Sequence, residues 1–437
     1  MKKFVALTLS MTLILLCLSG CGSGTNNSSE NNSAKNTSSD TQEGETSEKK
    51  TLKIFQYKVE IADQLLELAD EYMELHPEID LQIESVTSND YNTLLKTKFV
   101  SGEAPDIFNN QGATEFTLWK DNIENLSDQP WVSDMAELTK EGISDEEGNI
   151  YGLPLYLEGY NFVYNTKLFA EAGITEVPTT LAELENVCIQ LENAGIPAII
   201  VPLNDWYNMG VFGANVAMAH QNDVNAFIDG LNNGTETFQD NEVFEEWVNL
   251  VDIMVEHAYL DPLTTTFADQ ISQMANEEAA ITLANNGCWL SLLEINPDIQ
   301  VDFFNVPIND DAAYNDVLFA GVSTYWVVNK NSPVKEEAKE FLEWLVTSER
   351  GRYYLVEEFG FVSGLTSIEA PEEIVGPLSA AVAEAVQAGK ALGWEWPKYP
   401  AGMTEELGVN IQKYVSGQCT AQEMLAGFDT SWQNLIQ

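Results

Sequence analysis

The sequence predicts an α/β protein with more than one domain. Its 437 residues exceed what one hydrophobic core usually organises. A short apolar strand at 52–55 precedes a helical pattern whose apolar residues recur every three or four positions: Ile61, Leu65, Leu68, Tyr72 and Leu75. Residues 79–83 then alternate apolar and polar side chains, as a strand does. A strand, a helix and a strand of these lengths predict a right-handed crossover in a parallel sheet.

Later segments support the same class. The first helix should end at His76 and Pro77, because a residue before proline avoids the α conformation. A second helix is predicted over 334–346, with an apolar face formed by Val334, Ala338, Phe341 and Leu345. Ser332 and Pro333 predict its start, since serine caps helices and proline suits the first turn. The apolar run 198–201 predicts another strand.

The charge balance narrows the possible partners. The chain has 69 Asp and Glu against 20 Lys and Arg, a net charge of −49. Such a surface repels phosphate backbones, which argues against nucleic-acid binding, and it also favours solubility. Arg350 and Arg352 are the only arginines in the sequence. Because anionic ligands are usually held by an arginine fork, this scarcity favours a neutral or cationic ligand.

The first twenty residues predict a secretory signal peptide. Lys2 and Lys3 precede an apolar run over residues 4–18, which is shorter than the roughly 18 residues of a membrane-spanning helix. The run ends in Leu-Ser-Gly-Cys at 18–21, which resembles the bacterial lipobox. That resemblance implies cleavage after residue 20 and a diacylglyceryl group on Cys21. The alternatives are a plain secretory signal and an uncleaved anchor.

The segment after Cys21 predicts a flexible tether. Residues 21–50 are almost all Ser, Asn, Thr, Gly, Glu and Lys, so they cannot bury enough apolar surface to fold. The later cysteines, Cys188, Cys288 and Cys419, are odd in number and form no C-x-x-C motif. The three histidines have no metal-ligand spacing. We therefore expect no metal and no cofactor, and buried single thiols.

Four segments, in this order, carry a family resemblance. They are Gly-Glu-Ala-Pro-Asp-Ile-Phe at 102–108; Gly-Asn-Ile-Tyr-Gly-Leu-Pro at 148–154 with Tyr-Asn-Thr-Lys-Leu-Phe at 164–169; Asn-Gly-Cys-Trp at 286–289; and residues 319–330 with the helix after them. Together they resemble the family 1 extracellular solute-binding proteins, the group that includes maltose-binding protein. The similarity runs from residue 51 to the end of the sequence.

The resemblance implies a two-lobed fold of the periplasmic-binding-protein type, class II, with discontinuous α/β lobes joined by a hinge and ligand between them. By analogy, the chain crosses between lobes near 157–160, 319–323 and 365–369. Residues 51–157 and 323–366 would form lobe one. Residues 158–320 and 369–437 would form lobe two.

Candidate ligand contacts follow from sugar chemistry, which needs aromatic faces beside carboxylates or amides. Trp289 is similar in position to the family's sugar-stacking tryptophan, and Glu158 to a sugar-binding glutamate of the maltose-binding branch. The other candidates, on predicted loops and near the first crossing, are Tyr57, Asn110, Tyr156, Trp206, Trp394 and Trp396. Each of these has a structural alternative, namely core packing, a surface salt bridge or an ordinary turn.

Two details refine these candidates. Pro397 and Pro400 exclude a long helix around Trp394 and Trp396, so these rings should lie in a loop. The tryptophan and aspartate that the maltose-binding branch carries just after the strand at 105–108 are not evident here. The ligand is therefore expected to differ from maltose.

The chain carries no motif that indicates an enzyme. It has no G-x-S-x-G, no P-loop and no G-x-G-x-x-G, and among 69 acids a pair of carboxylates close in sequence is uninformative. The resemblance implies a monomeric, lipid-anchored, extracellular subunit that captures a neutral sugar or oligosaccharide and delivers it to the membrane subunits of an ABC importer. The alternatives are a polyamine- or peptide-binding protein, a secreted carbohydrate-active enzyme, and a sensor subunit.

Overall fold

The alternating strand and helix patterns fold into a mixed α/β structure, seen in a computed structural model that describes residues 49–204 and 206–436. The predicted signal peptide, Cys21 and nearly all of the predicted tether lie outside the described residues. The strands are β1 Lys50–Gln56, β2 Ile79–Ser85, β3 Ile107–Asn110, β4 Gly152–Asn165, β5 Ile199–Ile200, β6 Ile281–Asn285, β7 Val301–Phe304, β8 Leu318–Val328 and β9 Ala391–Leu392.

Sixteen α-helices occur in this described part of the chain. They are α1 Ala62–Leu75, α2 Ser88–Ser101, α3 Ala113–Trp119, α4 Thr166–Glu171, α5 Leu181–Asn193, α6 Ala214–Ala219, α7 Val224–Asn233, α8 Glu242–Glu256, α9 Phe267–Ala275, α10 Cys288–Ile295, α11 Lys335–Thr347, α12 Glu349–Tyr353, α13 Glu372–Val375, α14 Pro377–Gln387, α15 Met403–Val415 and α16 Ala421–Leu435. Each of these helices falls short of the length and apolar character that a bilayer crossing requires.

The first predicted crossover is confirmed. Strands β1 and β2 pair in parallel, with α1 between them in sequence. Leu65, Leu68 and Tyr72 are buried in α1, which ends at Leu75 as the proline at position 77 predicted. The apolar face of the helix thus covers the sheet that its flanking strands build.

The second helix is found where it was predicted, but its cap is two residues later than the predicted Ser332. Helix α11 begins at Lys335, and Val334 occupies the cap position without a side-chain cap. The Ser332 hydroxyl accepts a hydrogen bond from the Val334 amide at 3.0 Å and donates to the Asp106 carboxylate at 2.6 Å. A partner distant in sequence therefore holds this serine. The predicted apolar face is confirmed at Ala338, Phe341 and Leu345, all fully buried.

All nine strands join one sheet of order β2-β1-β3-β8-β4-β6-β5, with β7 on β4 and β9 on β8. The pairs β1–β2, β1–β3, β5–β6 and β8–β9 are parallel, and the others are antiparallel. The two longest strands, β4 and β8, pair from Gly152 opposite Val327 to Tyr160 opposite Phe319. The register shifts between Pro154 and Leu157, so the ladder is irregular in the middle of the sheet.

Two main hydrophobic cores lie at the two ends of these long strands. The buried residues of the first core fall within 52–155 and 325–375, and those of the second within 160–319 and 399–432. Strands β4 and β8 each pass from one core to the other. Val375 is the last buried residue of the first core, and the next buried residue of the second core along the chain is Tyr399. The exact lobe boundaries remain a prediction.

Candidate functional site

Two cavities open between the segments of the two cores, beside β4. The larger has a volume of about 950 Å³ and the smaller about 400 Å³. Each is lined by residues from the sequence segments of both cores, and Glu158 lines both cavities. A residue that faces both cavities can contact a solute in either of them.

Glu158 projects from β4 just where this strand leaves the first core. Leu155 and Leu157 alternate with it and are buried, so the period of the strand turns Glu158 towards the cavities. Its Oε1 lies 3.3 Å from Nζ of Lys58, and its Oε2 accepts a long hydrogen bond from Asn285 at 3.5 Å. The carboxylate is therefore held in place from both sides of the cleft.

Lys58 reaches Glu158 from the turn between β1 and α1. The Gln56 side-chain oxygen accepts a hydrogen bond from the Lys58 amide at 2.5 Å, which fixes the turn. The Lys58 Nζ also lies 4.8 Å from the centroid of the Tyr156 ring and 3.6 Å from the Glu60 carboxylate. The lysine side chain is only 12% exposed, so its charge is satisfied mainly by these neighbours.

Aromatic rings form part of the wall of the larger cavity. Tyr156 stacks on Phe361 with centroids 4.3 Å apart, and burial raises the Tyr156 pKa well above its usual value. Trp289 lies in the first turn of α10, with its indole against the backbone of Gly376. A Cβ at Gly376 would come within 2.3 Å of the indole nitrogen, and φ is +81° there, so this position requires glycine.

The smaller cavity is rich in aromatic side chains. Trp394 and Trp396 stack with centroids 4.6 Å apart, and Trp396 begins a short 3₁₀ turn with Pro397, as the prolines predicted. The Trp394 ring lies against the backbone of β8, where a Cβ at Gly321 would approach it to 2.5 Å. Tyr57 and Tyr207 also line this cavity.

Polar groups of the smaller cavity are held by the backbone. The Tyr57 hydroxyl donates to the Ser323 carbonyl at 3.2 Å, and burial raises the Tyr57 pKa to about 12. The Glu115 carboxylate accepts a hydrogen bond from the Gln111 amide at 2.5 Å, and its pKa is raised, chiefly by burial. Flat rings beside fixed hydrogen-bonding groups can hold a solute that has both apolar faces and polar edges.

The sequence of residues 58–351 matches the family described as bacterial extracellular solute-binding protein. The chain belongs to this family. The family-level prediction made from the four segments is thereby confirmed. We find no significantly similar sequence among curated proteins.

Solved structures of solute-binding proteins have the same fold. MsmE of Bacillus subtilis, in an open conformation, superposes with a TM-score of 0.72 at 19% identity, over 89% of this chain and 98% of that one. RafE in complex with raffinose superposes with a TM-score of 0.70 at 16% identity, over 89% of this chain and 100% of RafE. A Bacillus licheniformis sugar transporter in complex with stachyose superposes with a TM-score of 0.62 at 21% identity, over 88% of this chain and 100% of the transporter chain. The predicted two-lobed α/β fold class is confirmed.

Six of the eight predicted contact residues of this solute-binding protein line the cavities. Trp289 and Tyr156 line the larger one, Tyr57, Trp394 and Trp396 line the smaller one, and Glu158 lines both. The structure thus brings together residues from four distant parts of the sequence. Whether they contact ligand remains a prediction.

The other two predicted residues, Trp206 and Asn110, line neither cavity. Trp206 packs against α15 at Gly408, where an added Cβ on the glycine would lie 2.5 Å from the Cβ of Trp206. Asn110 is fully buried, and its side-chain oxygen accepts a hydrogen bond from the Gly112 amide at 2.8 Å. In both cases the next residue along the chain, Tyr207 or Gln111, faces the smaller cavity.

Two charged residues of the site, Lys58 and Glu115, were missed by sequence reasoning. Lys58 directly follows the predicted Tyr57 and is one of only 20 basic residues, which is a usable signal in so acidic a chain. Glu115 lies in the first turn of α3 and carried no signal, because it is one of 69 acids.

Both arginines of the solute-binding protein have structural partners away from the cavities. Arg350 binds the Glu71 carboxylate through two nitrogens, at 2.6 and 2.5 Å. Arg352 donates to the Val346 carbonyl at 2.7 Å. Among the described residues, no group of three or more His, Cys, Asp or Glu side chains is arranged to hold a metal ion.

Proposed function

We propose that this protein captures a neutral sugar or oligosaccharide in the cleft between its two cores and delivers it to the membrane subunits of an ABC importer. The observation that carries the proposal is the shared position of Glu158. It lines both cavities, with Trp289 and Tyr156 beside it in one and Trp394 and Trp396 in the other.

The chemistry of the cleft suits a sugar. A pyranose ring has flat C–H faces that pack on aromatic rings and a rim of hydroxyls that donate to carboxylates and carbonyls. The larger cavity, at about 950 Å³, is near the upper end of the range for small-molecule sites, which accommodates several sugar rings. The structural partners of Arg350 and Arg352 support the preference for a ligand without negative charge.

The compared structures support the same ligand class. RafE was solved with raffinose and the Bacillus licheniformis protein with stachyose, and both share the fold of this chain. Their identity to this chain is 16% and 21%, so the ligand itself must come from experiment.

Capture proceeds by closure of two lobes on the ligand. In this proposal lobe one comprises residues 51–157 and 323–366, and lobe two residues 158–320 and 369–437. The two hydrophobic cores support this division except at Ile368 and Val375, which pack in the first core. Because Tyr57 and Trp396 belong to different cores, a ligand that touches both favours the closed state. It shifts the equilibrium by no more than its differential affinity for that state.

The proposed cellular setting is the outer face of the cytoplasmic membrane. Diacylglyceryl modification of Cys21 and further acylation would anchor the chain stably, and the polar segment up to about residue 49 would act as the tether. The closed, monomeric binding protein then docks on the permease. No catalytic step is part of this function.

A thermal-shift screen of the purified full-length chain tests the proposal. The panel contains neutral oligosaccharides of different linkage, linear polyamines and short peptides. A ligand present at 100 times its dissociation constant stabilises the folded state by about 2.7 kcal/mol, which is readily seen as a rise in Tm. We expect one oligosaccharide class to raise the Tm.

Three other results, one from this screen and two from separate experiments, would identify the rival functions. A shift with polyamines or peptides alone would overturn the sugar assignment. Release of shorter sugars during long incubation would indicate an enzyme. In cells, sugar uptake that continues after deletion of the gene, together with altered gene expression, would indicate a sensor.

A further inference from the structure

The two carboxylates of the smaller cavity differ in their charge compensation. Glu158 is paired with Lys58 at 3.3 Å. Among the ion pairs of residues 49–204 and 206–436, none includes Glu115. Its hydrogen-bond partner is the neutral Gln111 amide, and burial raises its pKa despite the distant charge of Lys96. Glu115 is thus a partly buried acid in the first turn of α3, without an ion-pair partner in the described structure.

The wall around Glu115 supplies no positive charge. No lysine, arginine or histidine is among the described residues that line the smaller cavity. The neighbouring Lys398 is already used, because its Nζ lies 2.8 Å from the Glu141 carboxylate and 2.7 Å from that of Glu395. The described lining of the smaller cavity therefore leaves Glu115 available to pair with a cation of the ligand.

Aromatic rings surround the same space. Tyr57 lines the cavity together with Glu115, whose charge contributes to the raised pKa of Tyr57. The stacked rings of Trp394 and Trp396 form another wall. The faces of tryptophan and tyrosine attract ammonium groups, most strongly where water is excluded. Rings beside an uncompensated carboxylate suit a protonated amine better than a hydroxyl.

We propose that the smaller cavity binds a protonated amine of the ligand between Glu115 and the surrounding aromatic rings, so that the transported oligosaccharide contains an amino sugar with a free amine. This inference rests on the proposed sugar-binding function and narrows its ligand, because a sugar with a protonated amine is cationic and takes the place of the neutral sugar proposed above. Closure over a neutral sugar would desolvate Glu115 further and leave its charge unpaired, which is costly. An ammonium group removes that cost and gains a charge-assisted hydrogen bond.

Isothermal titration of the full-length chain with matched ligands tests the inference. The probes are the β-1,4-linked trisaccharide of glucosamine, its fully N-acetylated form and the corresponding neutral glucose trisaccharide, with raffinose and spermidine added. We expect the free amine to bind at least about tenfold more tightly than either neutral β-1,4-linked form, given the strength of hydrogen bonds to charged groups. Titrations are done at about 0.15 M salt, which screens the general attraction of this acidic surface for cations.

Three variants assign the effect. Glu115→Gln should abolish the preference for the amine, and Glu115→Asp, which keeps the charge, should retain part of it. Glu67→Gln removes one exposed acid of α1 and should leave the preference unchanged. Thermal unfolding of each variant checks that it is folded.

The outcomes separate the inference from the function on which it rests. Neutral sugars that bind as well as the free amine, or a preference that survives in Glu115→Gln, would overturn the inference and leave sugar capture standing. Binding of spermidine alone, with none of the sugars, would overturn the sugar-binding function and the inference together.

Discussion

The ammonium of Lys58 lies 3.3 Å from the carboxylate of Glu158, at the place where the two cavities meet. One residue belongs to the turn after β1 and the other to β4, so the pair joins segments that are 100 positions apart in the sequence. The side chains are 12% and 18% exposed. The attraction in a pair this sheltered is screened less than in a surface ion pair, and the loss of one partner leaves the other charge uncompensated.

Replacement of Lys58 by Met should therefore destabilise the protein. We expect a loss of about 1–3 kcal/mol in the free energy of unfolding, because Glu158 would remain desolvated without its cation. Chemical denaturation measures the loss. The double variant Lys58→Met with Glu158→Gln should recover part of it, since the charge that was left unpaired is then removed as well. Strictly additive effects of the two substitutions would show that the pair is not coupled.

The indole of Trp396 should contribute to sugar affinity, whereas that of Trp206 should not. Trp396 lines the smaller cavity, and Trp206 packs outside both cavities against α15. We expect Trp396→Ala to weaken sugar binding about tenfold or more, and Trp206→Phe to change it less than about twofold. Titration calorimetry measures the sugar affinity of both variants. Equal losses in the two variants would show that the sugar lies elsewhere.

Lys398 forms a contact between the segments of the two cores. Its Nζ lies 2.8 Å from Glu141, which adjoins the first core, and 3.2 Å from the Asn225 oxygen of α7 in the second. Loss of this contact should favour the open form and lower the apparent affinity, because only the closed fraction binds fully. Since Glu141 is 57% exposed, we expect a decrease of only about two- to threefold for Glu141→Gln.

Small-angle scattering of ligand-free Glu141→Gln provides an independent reading of the same contact. The radius of gyration of the ligand-free variant should exceed that of the ligand-free wild-type protein. With saturating ligand, the variant and the wild-type protein should have the same radius of gyration. An unchanged radius with unchanged affinity would exclude a role for this contact in closure.

The Glu395 carboxyl should make stability depend on pH in a defined direction. It is 6% exposed, and burial raises its pKa above 4.5 in spite of the neighbouring Lys398. A carboxyl whose folded pKa is raised penalises the folded state at high pH and is relieved as the pH falls through that pKa. Glu395→Gln should therefore gain stability relative to the wild type as the pH rises from about 4.5.

Denaturation curves between about pH 4 and pH 8 test this sign. The difference in the free energy of unfolding between Glu395→Gln and the wild type should move in favour of the variant across this window. Acids distant from Glu395 affect both proteins equally, so their contributions cancel in the difference. Because Glu141 shares Lys398 with Glu395, both proteins carry Glu141→Gln in this comparison. A constant difference would show that Glu395 does not titrate differently in the folded state.

The thiol of Cys21 should be the attachment point of the membrane anchor. We expect Cys21→Ser to leave the protein unlabelled by radioactive palmitate and to move it from the membrane fraction to the medium or to the unprocessed precursor. The matched control Cys419→Ser lies in the folded body, where its thiol has no disulfide partner among the described residues. Lipid labelling of Cys21→Ser equal to that of the wild type would exclude this site.

Local periodicity was enough to predict elements whose partners are close in sequence. The spacing of Leu65, Leu68 and Tyr72 defined α1, and alternation defined β2, because each pattern depends only on which face is buried. The start of α11 could not be predicted in this way. The Ser332 hydroxyl is held by Asp106, 226 residues away, and no local pattern encodes that contact.

The site was predictable to a similar extent. The prolines after Trp394 and Trp396 predicted a loop in place of a long helix, and in the structure Trp394 precedes a single 3₁₀ turn that begins at Trp396. Whether Trp206 or the adjacent Tyr207 faces the cavity depends on the π-helical turn that begins at Asn208, and residue type does not determine this. The discontinuous lobes came from the family resemblance, because strand patterns do not specify which distant segments share a core.

A crystal structure of the protein with the oligosaccharide that raises its Tm most is the most direct test of capture in this cleft. We expect sugar density between the two cores, within hydrogen-bonding distance of Glu158 and with a ring face on Trp396 or Trp289. We also expect the two lobes to be closed around the ligand. Sugar bound outside the cleft, or bound without contact to either core's aromatic residues, would contradict it.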